Sequence, residues 1–538
     1  MLAGVVAEAA IRFEDHPALV AASGWSLSYK DLDRASSEVA VGLTEKGIQA
    51  GDVVALVLEP CPEHIVLYIA AAKIGAVTAA VNTRLTASER DSVLAAASPR
   101  LVVATEMSAS GSQGKTPPRE AFGGVAPRSP TAVSTALTCN RKEPGSPSAR
   151  LRGRCELVVI SPASCAKDML GELRVAGGVP LRLDPDPSRP VAIVFTSGTT
   201  GIPKGALFCE SQISFITACD VGRAWGGGGS MLAGTSLAHL GPMTKLEGNL
   251  RRGTTSYLMD SWHASEALRL TSELGLTTVA GVPSQIALML SVQDFDAYDL
   301  SSVRAVVMGG GPATPALVRQ ARERFGAPVA VRYSCTEAGI GTGTSLDDPP
   351  EDAELSVGRP LPGVRLTIVS EEGEPVPTGE VGEVCLGSQA VMSRYWNHTD
   401  GDGGVLRGDG SVRTGDLGRI DLKGRLVLVG RATERYVRGG YNVYPMEVES
   451  VLAEHPAIQA VAVAGRPDEV MGEVGVAVVV ARSGQSPPSL EEIHRFARDR
   501  LAAYKLPAEV MTVPALPLTA MEKLDRRALA QMVSRSAT

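Results

Sequence analysis

The stretch Val191–Ala206, VAIVFTSGTTGIPKGA, constrains this chain most. Val191 to Phe195 form an apolar run of the length a buried parallel strand needs. The next ten residues, Thr196-Ser197-Gly198-Thr199-Thr200-Gly201-Ile202-Pro203-Lys204-Gly205, change character at once. Three glycines let the backbone turn tightly and present N–H groups to an anion. Four hydroxyls add donors, and Lys204 adds a cation. Polyphosphate requires this combination of many donors, one point charge and no bulk. The pattern is not the Gly-Lys-[Ser/Thr] phosphate loop, because Pro203 precedes the lysine and Gly205 follows it. A shorter match would read as a solvated Ser/Thr/Gly loop between a strand and a helix. The full string outweighs that reading.

At 538 residues the chain exceeds one usual core and divides into at least two domains. A net charge of −7 gives no global electrostatic case for nucleic acid. The eight cysteines are scattered, with no CxxC pair, which points to reduced thiols and away from a zinc site or disulfide framework. The N-terminal MLAGVVAEAAIRFEDHP lacks the basic region of a signal peptide. The apolar region Ile65–Val81 is broken by Lys73 and Gly75, so it reads as a helix running into a strand, not a membrane span. The expectation is a cytoplasmic enzyme without a membrane span.

Along the chain, strands alternate with helices from the start to about residue 106, which predicts a parallel, doubly wound sheet. Residues 108–154 are rich in Ser, Pro, Gly and Arg without an apolar period, and read as a disordered surface insertion. Val303–Met308 predicts a strand that stops at Gly309-Gly310-Gly311-Pro312. Thr314 then caps a helix with Pro315 in its first turn, and Val329–Tyr333 is the following strand. Open α/β sheets bind nucleotides at such a glycine-rich switch. Five further strings carry candidate chemistry. They are Ser236–Gly241 around His239, Tyr333-Ser334-Cys335-Thr336-Glu337, Arg413–Gly418 around Asp416, Gly430–Arg435, and Arg438–Glu449 with Gly439-Gly440. The tail Pro517–Arg527 adds Lys523.

These strings, in this order, resemble the adenylate-forming superfamily of acyl-CoA synthetases, peptide-synthetase adenylation domains and firefly luciferase. The string Gly439–Pro445, GGYNVYP, is closest to the acyl-CoA synthetase branch. The resemblance implies an α/β fold. A large N-terminal domain of doubly wound sheets with helices would span 1–430, and a small mobile α+β domain 431–538.

It also implies roles. Thr196, Ser197, Gly198, Thr199, Thr200, Gly201 and Lys204 would hold the β- and γ-phosphates of ATP, with Thr196 and Glu337 holding Mg²⁺. Gly309, Gly310, Gly311, Pro312 and Tyr333 would pack near the adenine, flanked by Ser334 and Thr336. Asp416 would accept the ribose hydroxyls, and Arg431 would reach ribose or phosphate. His239 would border the acyl pocket, and Gly439 and Gly440 would pass the pantetheine arm of coenzyme A. Lys523 would touch the acid carboxylate and the α-phosphate. Lys523, Lys204, Glu337 and His239 form the implied catalytic set.

Three positions depart from the family pattern. Ser334 and Glu522 stand where relatives have glycine, and Thr433 where they have Asp or Lys. The function implied is an AMP-forming ligase that joins a fatty or other hydrophobic carboxylic acid to CoA. Two alternatives are an adenylation enzyme that loads an acyl carrier protein and a non-catalytic nucleotide-binding relative.

Overall fold

A computed structural model describes residues 2–109, 155–196, 203–222, 224–397, 404–519 and 523–535. The expected insertion at 108–154 therefore lies almost wholly outside the described residues, as do Ser197, Gly198, Thr199, Thr200, Gly201 and Glu522. Among the described residues, no helix is long and apolar enough to cross a membrane.

The central sheet has seven strands. Its order is Arg394–Tyr395, Lys204–Cys209, Pro190–Thr196, Val77–Ala80, Val53–Val57, Leu101–Thr105 and Glu156–Ile160. The last five are parallel to one another, as the alternation of strand and helix predicts. Side chains on a strand alternate between faces. Val54 and Leu56 accordingly enter one apolar cluster, and Val53, Ala55 and Val57 enter another. Helix Pro62–Lys73 is buried along its whole length, so no amphipathic pattern marked it. The N-terminal stretch is a helix, Leu2–Phe13, whose Leu2, Val5, Val6 and Ala9 join the first cluster. Its apolar residues are core residues, a role that the reading of this segment as leader-like or not did not address.

The sequence predicts a helix near Glu210–Cys219 after the glycine-rich loop, and helix Glu210–Val221 stands there. The structure has a strand first. Lys204–Cys209 pairs antiparallel with Pro190–Thr196, with Thr196 opposite Lys204, and helix Glu210–Val221 follows. The loop is thus the tip of a hairpin. Gly205 is required inside it, because a Cβ there would lie 2.5 Å from Ile193 Cγ2.

A second sheet carries the parallel strands Thr278–Gly281, Ala305–Gly309 and Val329–Tyr333 and two short antiparallel strands. Helix Pro315–Phe325 begins as expected, with Thr314 Oγ1 accepting the Leu317 N–H. A four-stranded sheet adds Ser26–Ser28, Pro17–Val20, Thr254–Leu258 and Gly229–Ala233. Another, fully antiparallel, holds Arg365–Val369, Gly382–Gly387, Ser411–Ile420 and Leu426–Arg431. The doubly wound description therefore fits the first two sheets, and the whole is mixed α/β. Asp416 lies within the ten-residue strand Ser411–Ile420.

The small C-terminal domain has its own sheet and core. Long strands Ile458–Asp468 and Gly472–Ala481 pair antiparallel, and Glu509–Thr512 adds in parallel. Helix Leu490–Ala497 starts with a capping box of Ser489 and Glu492, a spacing visible in the sequence. Its Ile493 joins Val448, Val463 and Val479 in the core of this domain.

Candidate active site

One cleft of about 3300 Å³ collects most of the candidate residues. Three groups of side chains line it.

The first group surrounds the hairpin tip. Glu337 follows strand Val329–Tyr333, and its Oε1 accepts a hydrogen bond from Tyr395 Oη at 2.7 Å. Lys204 Nζ stands 5.3 Å from the centroid of that same tyrosine ring. Tyr395 therefore links the candidate metal carboxylate to the candidate phosphate-loop lysine. Thr196, opposite Lys204, completes the described part of the hairpin tip in the cleft. Glu337 and Thr196 are oxygen donors on one wall, which suits a hard cation such as Mg²⁺.

The second group surrounds Asp416. Its Oδ2 accepts from Tyr333 Oη at 2.7 Å and its Oδ1 from Arg431 Nε at 2.7 Å. A carboxylate has about four acceptor sites, so capacity remains for a pair of hydroxyls. Burial, then the Asp416 charge, hold the Tyr333 phenol well above the ordinary tyrosine value, so it stays a donor. Ser334 turns inward and donates to the Cys335 carbonyl at 3.1 Å. Thr336 lines the same wall.

The third group meets at the glycine-rich turn. Gly310 has φ +78°, a conformation that glycine supplies without strain. A Cβ on it would lie 3.6 Å from Val282 Cγ1 and 3.8 Å from Lys523 Nζ. The lysine of the small domain thus reaches over the turn of the large one. Gly311 would meet Pro283 in the same way, and Gly309 and Pro312 line the cleft beside them. Lys523 is held by its backbone, which exchanges hydrogen bonds with Thr519 at 2.7 and 3.3 Å. Burial, then the nearby Arg431 charge, hold its ammonium below the ordinary lysine value.

His239, at the start of helix Leu240–Arg252, faces this lysine across the cleft. Asn82 Nδ2 lies 3.2 Å from His239 Nε2. Burial, then the Lys523 charge, push His239 down to about 4. The imidazole is neutral at pH 7, with Nε2 as acceptor from Asn82. It supplies shape and polarity at that wall and no positive charge.

Among the described candidates, Gly439 and Gly440 are the ones that do not line the cleft. They form the turn between strands Tyr436–Arg438 and Tyr441–Val443, with φ +56° and +87°. Gly439 packs by Met471, where a Cβ would come to 2.8 Å of Cε. Thr433 lines the cleft beside Arg431. Two participants escaped the sequence reading. Tyr395 sits on a two-residue strand with no periodicity to mark it. Asn82 lies just past the C-terminal end of the parallel strand Val77–Ala80, the side of such sheets where ligands bind, and that placement was the available signal.

The comparisons with known proteins meet this geometry. Residues 6–396 match the AMP-binding enzyme family, and residues 447–523 match the AMP-binding enzyme C-terminal domain. The chain belongs to the AMP-binding enzymes. Within them it falls in the acyl-CoA synthetase branch of the adenylate-forming superfamily, and it is an adenylate-forming ligase. It is 31% identical over 521 residues to a fatty acid–[acyl-carrier-protein] ligase of Streptomyces coeruleorubidus, covering 95% of this chain and 92% of that protein. It is 34% identical over 354 residues to a medium/long-chain-fatty-acid–CoA ligase of Mycobacterium tuberculosis, covering 64% and 62%. The amide bond synthetase of Marinactinospora thermotolerans superposes with a TM-score of 0.82 at 28% identity, covering 99% of this chain and all of the other. The relatives of this AMP-binding enzyme thus include a carrier-protein ligase, a CoA ligase and an amide bond synthetase.

Proposed function

We propose that this AMP-binding enzyme is an AMP-forming acid–CoA ligase with an acyl-adenylate intermediate. The observation that carries the reading is Lys523 reaching over Gly310, in one cleft with the Glu337–Tyr395–Lys204 and Tyr333–Asp416–Arg431 groups. That grouping is what an in-line displacement at phosphorus needs, namely positioning plus charge neutralisation.

In the first step a carboxylate oxygen of the acid attacks the α-phosphorus of ATP, and the bond to pyrophosphate breaks. Lys523 lies where its ammonium can hold the carboxylate and an α-phosphate oxygen together. Asp416 and Tyr333 hold the ribose side, and Lys204 with the hairpin tip holds the departing phosphates. Glu337 and Thr196 would hold Mg²⁺, which when bound neutralises phosphate charge. Neutral His239 borders the acid. In the second step the CoA sulfur attacks the acyl carbonyl and AMP departs, with the thiol proton lost to solvent.

Gly439 and Gly440 lie away from the cleft in this arrangement. Their role in the second step therefore calls for rotation of residues 431–538 about the Arg431–Thr433 segment. Withdrawal of Lys523 and arrival of the glycine turn would be two results of one motion. An acid with an apolar carbon body is favoured by Leu232, Leu237 and Val307 in the lining and by the fatty-acid relatives.

The test is pyrophosphate release from ATP and Mg²⁺ over a panel of carboxylic acids, alone, with CoA, and with a phosphopantetheinylated acyl carrier protein. Acid-dependent release with acyl-CoA formed supports the reading. Transfer to the carrier protein alone, the activity named for the Streptomyces relative, replaces it with the carrier-loading reading. ATP binding without release under any condition refutes both.

A further inference from the structure

Arg332, the residue before Tyr333, also lines the cleft. Its register partners are Gly309 on one neighbouring strand and Gly343 on the other. A Cβ on Gly309 would approach Arg332 Cβ to 3.3 Å, and one on Gly343 would approach Nη1 to 2.8 Å. The two glycines leave the space that the arginine fills. Nη1 donates to the Val331 carbonyl at 3.2 Å and to the Thr344 carbonyl. No other donor of this guanidinium has a partner among the described residues.

Nor does any carboxylate among the described residues pair with it. The two acids that act on it from further away are committed elsewhere. Asp220 stands 3.5 Å from Arg252, and Asp348 stands 3.6 Å from Arg359. Burial disfavours the charge on Arg332, yet an arginine cannot shed it at physiological pH. A half-buried cation without a counter-charge is unfavourable in the protein alone and is relieved by an anion that enters with the ligand. The planar guanidinium fork matches a carboxylate in particular. Lys523 stands over Gly310, and the Arg332 guanidinium lies against Gly343, across its strand from Gly309; both cations line the one cleft, whose wall also holds Val307 and Ile340.

Building on the acid–CoA ligase reading, we infer that the acid is a dicarboxylate and that Arg332 selects its distal carboxylate while the other is activated. The body between the two carboxylates is apolar.

Matched pairs test this: butyrate against succinate, hexanoate against adipate, octanoate against suberate, each with 6-hydroxyhexanoate as a neutral polar control. Pyrophosphate release is measured for the native chain, Arg332→Leu and Arg332→Lys, with ATP affinity as the check on folding. The native chain is expected to favour a diacid over its monoacid partner by roughly 10- to 100-fold in kcat/KM, the scale of one charged hydrogen-bonded pair. Arg332→Leu erases that preference, chiefly through KM for the diacid, and leaves the monoacid rate in place. Arg332→Lys keeps part of it. Equal or better use of monoacids by the native chain overturns the inference, as does preference for the hydroxy acid. A loss in Arg332→Leu that is the same for both members of a pair also overturns it. Those results leave the ligase reading standing. If no acid of any kind releases pyrophosphate while ATP still binds, the ligase reading itself falls and the inference with it.

Discussion

Replacing Lys523 with alanine separates the two chemical steps. The substitution removes a charge without dismantling its loop, because the bonds to Thr519 run through the backbone N–H and carbonyl of Lys523 and survive. Among the described residues Nζ makes no ion pair, so no carboxylate is orphaned by its loss. What is lost is one cation, preorganised over Gly310 and sheltered from water. Removing one such group costs about 2.7–4 kcal/mol, or roughly two to three orders of magnitude in rate. Adenylation, read as pyrophosphate release in a single turnover, should fall by that amount. Thioester formation from a supplied acyl-adenylate and CoA should stay within about threefold, because Lys523 has no part in it once the small domain has rotated. The pH profile carries a second signature. Burial and Arg431 lower the lysine's pKa, so adenylation declines on the alkaline side below the ordinary lysine range, and the variant lacks that limb. An equal fall in both half-reactions would refute the two-state assignment of Lys523.

Three further substitutions probe other parts. Tyr395→Phe removes the bond to Glu337 and keeps the ring beside Lys204, and it should slow adenylation by about tenfold with a raised Mg²⁺ requirement. A magnesium titration of pyrophosphate release checks this. Gly440→Ala meets no atom within 4 Å but must hold φ +87°. It should leave adenylation within about twofold and slow CoA transfer by about tenfold, the cost of a left-handed alanine, in separate half-reaction assays. His64 is buried, and burial lowers its pKa to about 4. The unfolded chain takes up that proton first as pH falls, so its contribution is complete above about pH 6.5 and is lost towards pH 4, on the order of 3 kcal/mol. His64→Leu should flatten that acid-side slope in urea midpoints measured across the range.

Much of this architecture was legible because it is local. The strands Val53–Val57 and Val329–Tyr333 are apolar runs bounded by turns, and the caps at Thr314 and Ser489 use side chains three residues from their partners. The candidate site residues that the sequence reading found sit in strings with distinctive composition, as at Tyr333–Glu337. What stayed hidden depends on pairs far apart in the chain. Tyr395 matters because it meets Glu337, 58 residues away, and Asn82 because it meets His239, 157 away. Helix Pro62–Lys73 is the exception, since the sequence already reads as a helix there although burial on every side leaves it without the polar stripe that marks one. The strand Lys204–Cys209 stayed unread because six residues that begin inside the glycine-rich string are too few to show which period they follow. Arg332 was passed over as an ordinary strand charge, since only the pairing of Gly309 and Gly343 beside it opens its space.

The most direct test of a stepwise acyl-adenylate ligase is exchange of labelled pyrophosphate into ATP. With a turned-over acid and no CoA, exchange should proceed, because the adenylate forms and reverses in the closed site. Adding CoA should then drain the label exchange into acyl-CoA and AMP. Exchange that requires CoA, or that runs without any acid, would contradict the account.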